Sequence, residues 1–146
     1  MNKTRLSDSD GGEGKTFEAP LVSVVDDDDL VRRSIQRLLH SCGLRAEAFA
    51  SAEDFLQSGR VAETGCLLLD VSMPGMDGLE LQRRLAETGW LIPIVFLSAR
   101  ASEEEERQAI RAGAVNFLRK PVSKEVLLAA LRAALVRPNN EPGKES

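Results

Sequence analysis

The feature of this sequence that most limits its possible folds is a regular alternation of short apolar runs with helical segments. Five runs have the length of strands: Leu21–Val25, Leu44–Phe49, Cys66–Leu69, Ile94–Leu97 and Val115–Leu118. Strands that alternate with helices form a parallel sheet that is covered on both faces and joined by right-handed crossovers. The sequence therefore predicts an α/β fold with five strands and five helices.

Apolar stripes and start signals mark the helices. The stripes consist of Leu30, Val31, Ser34, Ile35, Leu38 and Leu39 in the first helix and of Val126, Leu127, Ala130, Leu131, Ala134 and Leu135 in the last. Ser102 and Glu105 form a capping box ahead of the fourth helix. Weaker start signals are given by two further pairs, Ser51 with Asp54 and Asp77 with Glu80.

Composition and charge exclude several classes of protein. The formal net charge of -4 argues against direct nucleic-acid binding by phosphate neutralisation. No apolar run approaches the ~18 residues of a membrane span, and the polar N-terminus predicts no signal peptide. Cys42 and Cys66 lie apart without metal-type spacing, so we expect buried free thiols and a cytoplasmic location.

Both ends of the chain lack the alternating pattern. Residues 1–19 are mostly polar and predict a disordered tail, while residues 137–146 predict a tail or a linker. The folded domain is thus expected at residues 20–136. The stretch Gly12–Thr16, "GEGKT", resembles the end of a phosphate-binding P-loop, but Ser9 stands where that motif needs a glycine and no strand precedes it.

Polar side chains follow four of the five predicted strands. They are Asp26 and Asp27 after the first strand, Asp70 after the third, Ser98 after the fourth and Lys120 after the fifth. The carboxyl ends of parallel strands share one edge of the sheet, where ligands of open sheets bind. Three carboxylates at one edge call for a divalent cation, and Mg²⁺ prefers such oxygen ligands. The sequence therefore predicts a magnesium site at this edge.

The same cluster fits phosphoryl transfer. A carboxylate such as Asp70 can act as a nucleophile and form an aspartyl-phosphate. The transfer needs mainly positioning and charge stabilisation, which Mg²⁺ and Lys120 would supply, while Ser98 would hydrogen-bond a phosphoryl oxygen. A cis bond between Lys120 and Pro121 would turn the ammonium group into the pocket.

Four segments carry a resemblance to a known family: "VVDDDDLVRRSI", "LLLDVSMPGMDGLEL", "VFLSA" and "NFLRKP". In this order, over about residues 20–136, the chain resembles the receiver domain of bacterial two-component response regulators, in the CheY-like superfamily and closest to FixJ-like receivers. The resemblance implies a flavodoxin-like, doubly wound (βα)5 fold with strand order 2-1-3-4-5. It also implies a histidine kinase as phosphodonor and a possible homodimer through helix 4, strand 5 and helix 5.

The resemblance also implies a role for each matching residue. Asp70 matches the phospho-accepting aspartate. The metal ligands would be Asp26, Asp27, Asp70 and the backbone carbonyl of Ser72, and of the acidic pair Asp27 is favoured over Asp26 as the direct Mg²⁺ ligand. Lys120 matches the lysine that pairs with the phosphoryl group. Ser98 matches the switch hydroxyl, and Phe117 the aromatic that moves inward with it. Asp28 and Asp29 exceed the acidic pair, and we expect them to cap the first helix.

Two other readings use the same residues. Asp26 and Asp28 behind an apolar strand resemble the start of haloacid-dehalogenase-like phosphatases, in which Asp26 would be the nucleophile. Those enzymes use a further acidic pair after the lysine, whereas only Glu125 follows Lys120 before the tail. The second alternative is a receiver-shaped interaction module that is never phosphorylated. The chain is read either as a stand-alone regulator or as the receiver of a longer one.

Overall fold

A computed structural model describes residues 19–136 of the chain. Within them the strands are β1 (Leu21–Val25), β2 (Arg45–Phe49), β3 (Thr64–Leu69), β4 (Ile94–Ser98) and β5 (Asn116–Arg119). The helices are α1 (Asp29–Ser41), α2 (Ala52–Gln57), α3 (Gly78–Glu87), α4 (Glu103–Arg111) and α5 (Lys124–Leu135). The first strand has the predicted bounds, and the bounds of the other four differ from the predicted ones by one or two residues. Apart from Ala19, the predicted tails lie outside the described residues, as does Gly12–Thr16.

The five strands form one parallel sheet in the order β2-β1-β3-β4-β5. This confirms the predicted doubly wound fold. Strand order reverses at β1, which pairs with β2 on one side and with β3 on the other. The crevice beyond the carboxyl ends of β1 and β3 is therefore the place where such sheets bind ligands.

Each face of the sheet buries its own apolar core. On one face, side chains of α1 and α5 such as Leu39 and Leu131 cover Leu68 of β3. On the other, α2, α3 and α4 cover the alternate side chains, among them Leu67 and Leu69. Successive side chains of a strand point to opposite faces. Because both faces of β3 are covered, its residues Cys66–Leu69 are apolar without alternation. Because β3 is buried on both faces, its packing fixes the position of Asp70, the residue that follows it.

Side-chain caps start the helices where the sequence predicted. Asp28 is the N-cap of α1 and accepts hydrogen bonds from the backbone N–H groups of Leu30 and Val31. Ser51 and Asp77 cap α2 and α3 in the same way. Ser102 forms a complete capping box at the start of α4. The predicted cap is thus confirmed for Asp28 but not for Asp29, which is the first residue of α1 and forms ion pairs with Arg32 and Arg33.

The predicted burial of several apolar side chains needs correction. Leu30 and Val126 belong to the apolar stripes of the sequence, but each lies in the first turn of its helix, beyond the edge of the core, and they are 74% and 50% exposed. Both cysteines are free thiols, yet only Cys66 is buried. Burial raises the pKa of the Cys66 thiol to about 12. No helix of residues 19–136 is long and apolar enough to span a bilayer.

Candidate functional site

Main-chain hydrogen bonds to the neighbouring strand hold the first residue after β1 and after β3 in place. The Asp70 N–H donates to the carbonyl of Val25 at 3.0 Å, which places the residue after β3 beside the end of β1. The Asp26 N–H donates to Phe49 at 3.2 Å. The sheet therefore presents Asp26 and Asp70 side by side at its carboxyl edge.

The predicted acidic residues converge at this edge. Carboxylate oxygens of Asp26, Asp27 and Asp70 lie within 4.8 Å of one another, and residues 19–136 contain no other such group of potential metal ligands. Asp26 and Asp70 are only 3% and 7% exposed, whereas Asp27 is exposed. One Asp26 oxygen also accepts the backbone N–H of Asp28 at 2.9 Å, which orients that carboxylate.

Lys120 is the cation of the cluster. Its Nζ lies 2.9 Å from Oδ2 of Asp26 and 3.9 Å from Oδ2 of Asp70. The Lys120 N–H donates to the carbonyl of Ser98 at 3.0 Å, so β5 delivers this residue beside the end of β4. The peptide bond between Lys120 and Pro121 is cis, as expected from the sequence.

The environment of Asp70 disfavours its charge. Burial, and then the neighbouring Asp26 carboxylate, raise the pKa of Asp70 above its ordinary value. Lys120, the N–H of Ser72 and the Ser98 hydroxyl act in the opposite direction without reversing the shift. One ammonium group thus does not offset two adjacent buried carboxylates.

The three carboxylates and Lys120 line one open cleft of about 370 Å³, together with Ser72, Ser98 and Arg100. The N–H of Ser72 donates to Oδ1 of Asp70 at 3.4 Å, which orients the loop that follows β3. Ser98 is fully buried at the end of β4. The cleft brings together every residue predicted for metal binding and phosphoryl contact.

Phe117 is placed apart from the cleft, in the core. It is 8% exposed and stacks on Phe96, with ring centroids 5.6 Å apart. The guanidinium of Arg119 lies 5.4 Å from the centroid of the same ring. Arg119 also donates to the carbonyl of Ala101 at 2.7 Å and to Glu106 at 2.8 Å. The ring therefore lies inward, beneath a contact that joins β5 to α4.

Sequence reasoning missed three residues that shape the site. Gly78 lies so close to the site that an added Cβ would be 2.2 Å from the carbonyl oxygen of Asp70. Arg32 donates from Nη1 to the carbonyl of Asp26 at 2.8 Å. Glu53 accepts the N–H of Met76 in the loop after β3. Only Gly78 had a sequence signal, as the glycine directly after the N-cap residue of α3.

The residues present fit Mg²⁺ by charge and by ligand type. Three carboxylates supply hard oxygen ligands, and two of them are buried and share the Lys120 ammonium as an ion-pair partner. Mg²⁺ is typically bound by one or two carboxylates with waters and phosphate oxygens. The open cleft leaves space for those further ligands.

Comparison with known proteins agrees with this geometry. Residues 22–132 match the family model described as the response regulator receiver domain. Response regulator protein TmoT of Ectopseudomonas mendocina is 45% identical over 125 residues, which are 86% of this chain and 57% of TmoT. Transcriptional regulatory protein FixJ of Azorhizobium caulinodans is 38% identical over 124 residues, which are 85% of this chain and 58% of FixJ.

A solved structure gives the same result. The low-resolution structure of response regulator StyR superposes with a TM-score of 0.75 at 44% identity, covering 80% of this chain and 59% of the StyR chain. The chain thus spans little more than half the length of the curated relatives that it matches.

Proposed function

The chain belongs to the family of response regulator receiver domains of two-component systems, and from this premise we propose that residues 20–136 accept a phosphoryl group on Asp70 with the help of Mg²⁺. The observation that carries the proposal is the convergence of Asp26, Asp27 and Asp70 within 4.8 Å, with the Lys120 ammonium 3.9 Å from Asp70. Phosphoryl transfer needs this combination of a fixed nucleophile and concentrated positive charge.

The metal ion would be held by the carboxylates of Asp26, Asp27 and Asp70 and by the carbonyl of Ser72. When bound, it would offset negative charge on the transferred phosphoryl group. The chain's own residues do the remaining work. The ladder bond to Val25 fixes Asp70, and the Lys120 ammonium is placed to pair with a phosphoryl oxygen.

The phosphodonor is proposed to be the phosphohistidine of a histidine kinase. An Asp70 oxygen forms a new O–P bond while the P–N bond of the phosphohistidine breaks. The electron pair of the broken bond stays on the imidazole nitrogen, which takes up a proton. No oxidant or further substrate is needed, and we propose that the reaction takes place in the cytoplasm.

The output is proposed to be a two-state change of surface. Phosphorylation would draw the Ser98 hydroxyl towards the phosphoryl group and favour the inward position of Phe117. Phosphorylation shifts the equilibrium between the two states only to the extent that the phosphoryl group stabilises one state more than the other. The surface affected is the one built by α4, β5 and α5, where Ile110 and Val126 are about half exposed and open to a second copy of the chain.

Intact-mass measurement after incubation with acetyl phosphate and Mg²⁺ tests the proposal. We expect one phosphoryl adduct on the wild-type chain, none on the Asp70→Asn variant, and none after removal of Mg²⁺ with a chelator. Asp54→Asn, at an exposed carboxylate of α2, is the matched control and should accept the group like the wild type.

The two alternatives give different outcomes. An interaction module that is not phosphorylated would show no adduct on any variant. A phosphatase that uses Asp26 as nucleophile would retain turnover of a phosphate ester in Asp70→Asn. In the structure Asp26 is engaged by Lys120 at 2.9 Å and by the N–H of Asp28, which leaves it less free to attack than Asp70.

A further inference from the structure

The loop between β3 and α3, residues 70–77, contains both the proposed phosphoacceptor and the Ser72 carbonyl. Its two ends are fixed by the fold. The N–H of Gly78 donates to the carbonyl of Val71 at 2.9 Å, and Asp77 caps α3. The middle of the loop, around Gly75, is not fixed by either of these bonds.

A side chain from another element reaches this middle part. Glu53, in the first turn of α2, accepts the backbone N–H of Met76 through Oε2 at 3.1 Å. Gly75, at φ +74°, allows this approach, because a Cβ at that position would lie 3.0 Å from the same carboxylate oxygen. Glu53, which precedes Asp70 by 17 positions in the sequence, thus holds the middle of the loop.

The Glu53 carboxylate also contacts the start of its own helix. Ser51 is the N-cap of α2 and accepts the N–H of Asp54 at 3.0 Å, while the Glu53 carboxylate is hydrogen-bonded to the Ser51 hydroxyl and to its own backbone N–H. The bond to Met76 is the one that joins α2 to the loop. Hydrogen bonds from the backbone N–H groups of Glu53 and of Met76 lower the pKa of the Glu53 carboxyl, which keeps it ionised at neutral pH. A charged acceptor makes a stronger hydrogen bond than a neutral one.

The loop is also held by its own apolar side chains. Met73 and Met76 are each 8% exposed and pack in the core that contains Phe55 of α2. The methionines anchor the loop through flexible, non-directional contacts, whereas the bond from Met76 to Glu53 fixes the direction of the backbone. The peptide group between Gly75 and Met76 is therefore oriented by α2.

We propose that Glu53 is a positioning residue for the phosphorylation site: by holding the Met76 N–H it fixes the β3–α3 loop so that the Ser72 carbonyl and Asp70 meet the metal ion in the right geometry. The inference rests on the proposed function and deepens it. It makes α2, which contributes nothing to the cleft itself, part of the support of the metal site. Groups that orient metal ligands commonly affect metal affinity about tenfold or more.

The test is the Mg²⁺ dissociation constant of the full chain by isothermal titration, together with amide hydrogen exchange at Met76. We expect Glu53→Ala to weaken Mg²⁺ binding by about tenfold and to speed exchange of the Met76 amide. Glu53→Gln keeps an acceptor oxygen and should lie between Glu53→Ala and the wild type. Asp54→Ala removes a neighbouring acid from the same helical turn and should leave both measurements unchanged.

Each contrary result has a distinct meaning. Mg²⁺ affinity within twofold of the wild type in Glu53→Ala would overturn the inference alone, and so would an equal loss in Asp54→Ala, which would point to a general effect of helix charge. A wild-type chain that binds no Mg²⁺ would overturn the proposed function together with the inference. The Glu53→Gln variant keeps the test decisive should Glu53→Ala fail to fold.

Discussion

At the scale of single residues, the site places two buried carboxylates close together, and Lys120 offsets part of their charge. Asp26 and Asp70 are almost fully buried, and Lys120 lies between them. Like charges in a partly buried site disfavour ionisation, so the pKa of Asp70 is raised by burial and by Asp26. Repulsion between the Asp26 and Asp70 carboxylates therefore destabilises the folded chain, and binding of a further cation would relieve it.

The charge of Asp70 should destabilise the metal-free chain. Its raised pKa means that the folded state holds the proton more tightly than the unfolded state does, so stability falls as pH rises through the folded-state pKa. At pH 7 without Mg²⁺, Asp70→Asn should raise the melting temperature by a few degrees, which corresponds to about 1 kcal/mol. Thermal unfolding across pH measures this.

The gain from Asp70→Asn should shrink as pH falls through the folded-state pKa. It should vanish below about 3.9, the ordinary pKa of an aspartate, because Asp70 is then protonated in both states. Asp54→Asn is the exposed control and should show no such gain. A gain that persists unchanged at pH 3, or no gain at pH 7, contradicts the electrostatic account.

Removal of Lys120 should leave Asp26 buried without its partner. We expect Lys120→Met to lower the free energy of unfolding by about 2 kcal/mol, less than for a fully buried pair because the Lys120 side chain is 21% exposed. Adding Asp26→Asn to this variant should restore most of the loss. Denaturant unfolding of the two single variants and the double variant gives the coupling, and additive effects would exclude a specific pair.

At the scale of elements, the close contact between the start of α3 and the end of β3 sets the shape of the β3–α3 loop. A Cβ on Gly78 would be 2.2 Å from the Asp70 carbonyl oxygen and 3.1 Å from the Cα of Val71. Backbone atoms cannot move aside as a flexible side chain does. Helix α3 therefore requires glycine here for space.

Alanine at this position should force β3 and α3 apart. We expect Gly78→Ala to cost about 3 kcal/mol of unfolding free energy, the upper part of the usual range for overpacking, and to weaken Mg²⁺ binding. Gly59→Ala is the comparison, since Gly59 has positive φ but open space around it, and only backbone strain of about 1 kcal/mol is expected there. Equal losses in the two variants would contradict the steric argument.

The sequence predicted the elements well because their signals are local. The runs at Leu21–Val25 and Ile94–Leu97 and the cap at Ser102 depend on neighbours in the chain, and all three were confirmed. The parallel sheet then brought Asp27 and Asp70 to one edge as expected. The bond from Met76 to Glu53 was not predictable, because neither residue has a local pattern that reveals a partner 23 positions away.

The exposure of side chains was harder to predict for the same reason. Leu30 fits the helical spacing of its stripe, yet it is 74% exposed because α1 begins beyond the sheet that its later turns cover. Periodicity identifies a face of a helix, whereas the extent of the neighbouring layer decides where burial on that face begins. Such exposure depends on tertiary packing.

At the scale of the whole molecule, residues of β4 and β5 lie between the site and the α4–β5–α5 surface. Phe117 of β5 stacks on Phe96 of β4, and Arg119, the last residue of β5, forms an ion pair with Glu106 of α4 at 2.8 Å. A change at Ser98, at the end of β4, is therefore close to elements that present an exposed surface. This arrangement supports transmission of phosphorylation to a partner.

Phosphorylation should alter self-association through this surface. We expect beryllofluoride with Mg²⁺ to shift the sedimentation profile of the wild type towards a dimer, because it mimics the phosphoryl group on Asp70. Ile110→Lys, on the exposed face of α4, should abolish the shift, and Leu30→Lys, at an exposed position of α1, should not. Coincident profiles with and without beryllofluoride would show that the chain does not signal by self-association.

The most direct test of the account is a crystal structure of the chain with Mg²⁺ and beryllofluoride. We predict the beryllium on the Asp70 carboxylate, Mg²⁺ bound by Asp26, Asp27, Asp70 and the Ser72 carbonyl, and the Lys120 ammonium turned from Asp26 towards a fluoride. A cleft that holds neither the ion nor the adduct at saturating concentrations, or an adduct on Asp26 in place of Asp70, would contradict it.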